Sequence, residues 1–301
     1  MKLTKLQKEI IKTLLFFNLH KRPLNPKEVH QYANIKSQES HVFLALLDLC
    51  RKNKVIEKNQ YFTLRKYQGL FKTFYQRLKI KQDLENKTRK FIWLIRLMPF
   101  VRAVMLANSL TMGLPNKNSD IDLVVLCKKN RLWTCRFFLT GILTMLGHKR
   151  AKNVKTAPGK LCLSYYLSLK ESNLKPWRLK NDPLMDYWLA TFRPLTGGKA
   201  IELFYSQNVW LGDFFPNLKI ETTNQKVKPL SFGAFLLEKT LDLFGDRLEN
   251  FLFKSQSAKI KAKNKPDTLI ATQNICRLLK PDNYRFKFAK KFQKELKKFL
   301  K

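Results

Sequence analysis

Two aspartates separated by one residue stand at the head of an apolar run, Asn118-Ser119-Asp120-Ile121-Asp122-Leu123-Val124-Val125. Residues two apart on a strand share a face, so both carboxylates project to one side while Ile121 points into the core. Mg²⁺ takes hard oxygen ligands and commonly combines one or two carboxylates with substrate phosphates. Asp120 and Asp122 are therefore the candidate metal ligands and catalytic residues, suited to a nucleoside triphosphate bound as its Mg²⁺ complex. Upstream, Leu106-Ala107-Asn108-Ser109-Leu110-Thr111-Met112-Gly113 carries a β-prone run into a serine-containing turn. Such a turn can offer backbone N–H groups and the Ser109 hydroxyl to phosphate oxygens. A plainer reading competes: Asn118-Ser119-Asp120 is ordinary turn chemistry, and a strand start tolerates exposed Asp.

The elements that must hold this pair follow from periodicity. Val101–Ala107 and Ile121–Cys127 read as short strands, and Leu161–Leu169 as a third. A long helical pattern from Gly69 ends at Pro99. Arg131–Leu146 reads as a helix with Trp133, Phe137, Ile142 and Met145 facing inward. The middle of the chain is thus helix, strand, loop, strand, helix, strand.

This order, together with Ser109, Gly113, Ser119, Asp120 and Asp122 in sequence and spacing, resembles the polymerase-β-type nucleotidyltransferase superfamily over roughly residues 88–170. The resemblance implies that the two aspartates hold the metals and that the turn at Asn108 and Ser109, with Gly113 and Ser119, grips the triphosphate. The implied reaction is nucleotidyl transfer with release of pyrophosphate. Two positions depart from the pattern. Asn108 stands where the family has glycine, adding a side chain where phosphates approach. The strand Leu161–Leu167, where the family's third carboxylate lies, has no acid, and Glu171 just beyond it is the nearest substitute. A catalytically degenerate nucleic-acid-binding regulator is the alternative.

Around this core the first 66 residues form a small unit. Leu3, Leu6, Ile10, Leu14 and Phe17 mark an amphipathic helix, and Pro26 opens a second helix carrying Val29 and Tyr32. Ser37 or Ser40 is placed to cap a third helix through Val42, Leu46 and Leu49. Residues 54–64 read as a hairpin about Asn59-Gln60. Three helices and a hairpin resemble a winged helix-turn-helix, whose third helix, with His41 and Arg51, reads either as a DNA contact or as a protein-contact module. From Pro176 onward the chain reads as mainly helical. Ser231–Phe253 reads as one apolar helix whose row Glu238, Asp242, Asp246 and Glu249 could hold a metal but reads first as a solvated face. Thr196-Gly197-Gly198-Lys199 is a flexible turn, lacking the spacing of a P-loop. The expected architecture is α+β: a winged-helix-like domain at 1–68, a small mixed-sheet nucleotidyltransferase core at 69–175 and a basic helical domain at 176–301.

Charge points to the partner. Lys and Arg total 59 against 22 acids, a net +37, with Lys254–Lys301 alone holding 13 Lys and 2 Arg against 3 acids. RNA or DNA is the first expected partner and an anionic membrane surface the second. The five cysteines form no C-x-x-C pair and the four histidines no zinc spacing, so a zinc site is not expected and a reducing compartment is. The start does not read as a signal peptide, no apolar run reaches membrane-spanning length, and a cytoplasmic protein is expected.

Overall fold

The amphipathic spacing after Leu3 folds as α1 (Lys5–Leu19). Thr4 caps it, its hydroxyl accepting from Gln7 N while the Gln7 side chain accepts from Thr4 N. Asn25 and Glu28 make the same reciprocal cap on α2 (Pro26–Tyr32), with Pro26 at the position where a missing N–H costs least. The expected serine cap on the third helix does not form: α3 (Glu39–Arg51) starts after Gln38, with no side chain on its first amides. β1 (Val55–Lys58) and β2 (Tyr61–Leu64) pair antiparallel about Asn59 and Gln60, both at positive φ, as a two-residue hairpin turn requires.

The computed structural model describes residues 2–150, 156–220, 232–262, 269–278 and 282–300. After α4 (Phe71–Arg96) comes a mixed sheet of β3 (Val101–Leu106), β4 (Ile121–Cys127), β5 (Leu161–Ser168), β6 (Arg193–Thr196), β7 (Leu269–Ala271) and β8 (Ile275–Leu278). Its spatial order is β6-β3-β4-β5-β8-β7. β4 and β5 run parallel, joined through the crossover helix α5 (Leu132–Met145), and the other pairs are antiparallel. The last third, expected to be mainly helical, supplies three of the six strands. Each is only three or four residues long, too short for a two-residue period to show.

Both sheet faces are covered. Ala103, Met105, Val124 and Leu126 join a core with α1 and α3, while Val104, Leu106, Leu123 and Val125 join another with α5. This explains why β4 reads as an unbroken apolar run rather than an alternation. On α5 the buried stripe is Trp133, Leu139 and Leu143; Phe137 and Met145, expected inside, are exposed. α6 (Pro183–Ala190) and α7 (Gly198–Ser206) close the first core. Gly197 is no loose turn: its φ is +94° and a Cβ there would overlap the Arg102 carbonyl and Ala103, so only glycine fits against β3. α10 (Asp282–Leu300) packs on α1 and α6 and buries Phe292 completely.

The helix expected over Ser231–Phe253 breaks into α8 (Phe232–Leu243) and α9 (Gly245–Ala262). Gly245 lies against the Arg131 guanidinium, which pairs with Asp242 and Asp246. Of the acidic row only Asp246 is exposed as expected. Glu238 pairs with Arg102 at 2.7 Å and accepts from Phe100 N, and Asp242 takes Lys128 and Arg131. Asp246 also pairs with Arg131. Glu249 accepts from Trp133 N at 2.8 Å, Thr134 N at 2.9 Å and the Thr134 hydroxyl at 2.7 Å, capping the N-terminus of α5 from another helix. Glu249→Ala strands two buried helix amides and is expected to cost about 2–4 kcal/mol, read by chemical denaturation. An unchanged midpoint would show the cap to be idle. No described helix is long and apolar enough to cross a membrane.

Candidate functional site

β3 ends where the chain must turn back toward β4, and Asn108 makes the turn at φ +54°, a left-handed conformation asparagine tolerates better than most residues. Its carbonyl accepts from Thr111 N at 3.1 Å and Met112 N at 2.8 Å. Those amides are therefore engaged within the turn and do not face an incoming phosphate. The Asn108 side chain is engaged as well: its Oδ1 accepts the Trp188 indole N–H at 2.8 Å, and its amide is hydrogen-bonded to Asp122.

The turn, the head of β4 and the start of β5 enclose a cavity of about 490 Å³, within the range of small-ligand sites. Asn108, Ser109, Gly113, Ser119, Asp120 and Asp122 all line it. The sequence candidates are thus brought together, though not in equivalent roles. The Ser109 hydroxyl is buried at the cavity wall and has no hydrogen-bond partner among the described residues. Ser119 Oγ accepts from Asn116 N at 2.9 Å and belongs to the loop turn. Gly113 sits 3.2 Å, measured from an added Cβ, from the carbonyl of His20. Its smallness thus serves the packing of the loop on the end of α1.

Asp120, immediately before β4, and Asp122, its second residue, share a face as the two-residue period requires. Register puts Asp122 opposite Cys162 on β5, and the ligand atoms of Asp120, Asp122 and Cys162 all lie within 4.8 Å of one another. Desolvation at the cavity wall, followed by the charge of Asp120, pushes the Asp122 carboxyl up to about 6. Asp120 is balanced by Arg150, whose Nη1 lies 2.6 Å from its carboxylate. Glu171, the expected substitute for a third carboxylate, does not reach the site; it is exposed and accepts from Asn274 Nδ2 at 2.8 Å. The third position is taken by the Cys162 thiol.

Cys162 and Arg150 were not legible as site residues. For Cys162 the one signal was its position next to the start of β5, which pairs it with Asp122 once parallel β4–β5 pairing is assumed. Arg150 carries no such signal, because it lies in irregular chain after α5. Two carboxylates and a thiol can hold a divalent cation: the oxygens suit Mg²⁺ or Mn²⁺, and the sulfur adds preference for softer ions. No family model, curated protein or solved structure matches this chain.

Proposed function

We propose that this cavity binds a nucleoside triphosphate with a divalent cation and transfers its nucleotidyl group to an acceptor hydroxyl. The observation that carries the reading is the convergence of Asp120 and Asp122 with the unpartnered Ser109 hydroxyl in one cavity, in the strand–turn–strand order that resembles the polymerase-β-type nucleotidyltransferase superfamily. The donor set fits such an ion. Asp120, Asp122 and Cys162 would hold it, and it would supply charge neutralisation on the phosphates. Ser109 donates to a phosphate oxygen, and Arg150 is placed to exchange Asp120 for phosphate. As the acceptor oxygen gives up its proton to solvent and bonds to the α-phosphorus, the bond to pyrophosphate breaks. The charge of +37 favours RNA or another polyanion as acceptor.

In the same reading the N-terminal helices and hairpin form a winged-helix module. The outward side of α3 exposes Phe43 and Leu44 beside His41 and Arg51, which favours contact with protein over a base-reading stripe.

Incubation of the full chain with each labelled triphosphate, Mg²⁺ or Mn²⁺, and total RNA tests the proposal. Covalent label on an acceptor is expected, and neither label nor triphosphate binding would end it. A second reading, a nucleic-acid-binding regulator that binds nucleotide without transfer, is favoured by Cys162 where a carboxylate is expected and by Arg150 held on Asp120. Metal preference separates the two. With a thiol at the third position, transfer is expected to be stronger with Mn²⁺ than with Mg²⁺, and Cys162→Asp to raise the Mg²⁺ rate about tenfold or more. Nucleotide binding with no transfer in either protein or with either ion selects the regulator.

A further inference from the structure

Helix α8 is amphipathic in the reverse of the usual sense. Both of its acids face protein: Glu238 is buried on Arg102 and Phe100, and Asp242 is held by Lys128 and Arg131. Leu241 packs on the core, and the other described large apolar residues are turned outward. Leu236 is 52% exposed, Leu243 81% and Phe244, just past the helix end, 69%, with Phe235 and Leu237 also exposed. Surface helices ordinarily bury the apolar stripe and leave charge in water. An apolar face of this extent marks a contact surface.

The charge beside that face identifies the occupant. Lys239 is exposed on α8 itself, its ammonium 5.4 Å from the Phe235 ring centre, and α9, which follows, exposes Arg247 and Lys254. The exposed Asp246 is already engaged by Arg131. An apolar face that carries a cation, on a chain of net +37, repels a second copy of itself and complements a surface that is anionic above and apolar beneath. RNA would use the cations and leave the apolar residues in water.

We propose that α8 docks this protein on an anionic phospholipid surface. Leu236, Leu243 and Phe244 enter the boundary between headgroups and acyl chains, and Lys239 meets the headgroups. The helix lies in the plane of the interface, since no described helix can span a bilayer. This assignment is independent of the cavity reading.

Co-sedimentation of the full chain with phosphatidylglycerol–phosphatidylcholine vesicles, and with phosphatidylcholine alone, tests it. Binding to the anionic vesicles is expected, lowered about tenfold or more in Leu236→Gln/Leu243→Gln with melting unchanged, because both side chains are exposed. As a second measurement, Leu236→Trp is expected to shift its emission to the blue on anionic vesicles. Vesicle binding that is absent, or that the glutamine variant leaves unchanged, overturns the proposal, the latter because charge alone would then account for it. A doubled mass in light scattering that the variant abolishes assigns the face to a second copy and overturns it equally. Weakened RNA retention in the variant, with vesicle binding intact, assigns the face to nucleic acid and has the same consequence.

Discussion

Asp120→Asn/Asp122→Asn is expected to abolish metal-dependent triphosphate binding, a loss of about 100-fold or more, while Asp122→Asn alone makes the fold more stable at neutral pH. The loss follows from replacing two anionic ligands by neutral amides of the same shape, which leaves a divalent cation without its charge partners. The gain follows from the position of Asp122, at a cavity wall beside a second carboxylate, where its carboxyl is pushed up to about 6. In the folded state this carboxyl holds its proton more tightly than in the unfolded chain. Below about pH 4 both states are protonated and there is no penalty. The penalty grows as pH rises from about 4 to 6 and is complete above, where a shift of this size corresponds to about 2–3 kcal/mol. Asp122→Asn should therefore raise the melting temperature at pH 7 and leave it nearly unchanged near pH 4, a difference readable by calorimetry.

Opposite signs on binding and stability are what separate a ligand site from a turn-capping pair. A capping aspartate replaced by asparagine loses little, because asparagine caps turns nearly as well, and it gains nothing from relieved repulsion. If Asp122→Asn binds nucleotide as the parent does and melts at the same temperature at both pH values, Asp120 and Asp122 are structural and the cavity must be read without a metal. Asp120→Asn is less informative for stability, since it also breaks the ion pair with Arg150.

The carboxylate pair was legible because the strand period alone places residues 120 and 122 on one face, whatever the rest of the chain does. The same local rules found β3, β4 and β5 and the N-terminal helices, where apolar spacing runs over many residues. They failed where the decisive partner is distant in sequence. Glu238, Asp242 and Glu249 read as water-facing, as the exposed Asp246 is, because no local pattern shows that Arg102, Lys128, Arg131 and the N-terminus of α5 lie opposite. Phe137 and Met145 satisfied helix spacing, yet the docking of α9 selected another stripe of α5 for burial. Cys162 is intermediate: its position was visible, but its role depends on parallel pairing between strands separated by a helix.

The terminal helix shows the same dependence on distant partners, and it carries the largest stability change expected of a single residue. Arg285 on α10 and Asp182, which precedes α6, form an ion pair with side chains only 4% and 1% exposed. Asp182 also accepts from Met185 N at 3.1 Å and Leu179 N at 3.2 Å, so one carboxylate caps α6 and anchors α10. Asp182→Ala leaves a guanidinium buried without its counter-charge and two amides without an acceptor, an expected loss of about 3–5 kcal/mol. In Asp182→Ala/Arg285→Met no uncompensated charge remains, and a large part of that loss should return. By contrast, Lys287, Lys290, Lys291, Lys294, Lys297 and Lys298 are all exposed on the same helix. Replacing four of them by Gln should leave the denaturation midpoint within about 0.5 kcal/mol. If they meet phosphates, the same variant flattens the dependence of RNA binding on salt by somewhat under one log unit for each lysine–phosphate pair removed. α10 thus has two separable faces, and deleting residues 281–301 cannot distinguish them, because that cut also removes the buried Phe292 and Arg285. Were Asp182→Ala to unfold at the parental denaturant concentration, α10 would be held by its apolar residues alone and the ion pair would contribute nothing measurable.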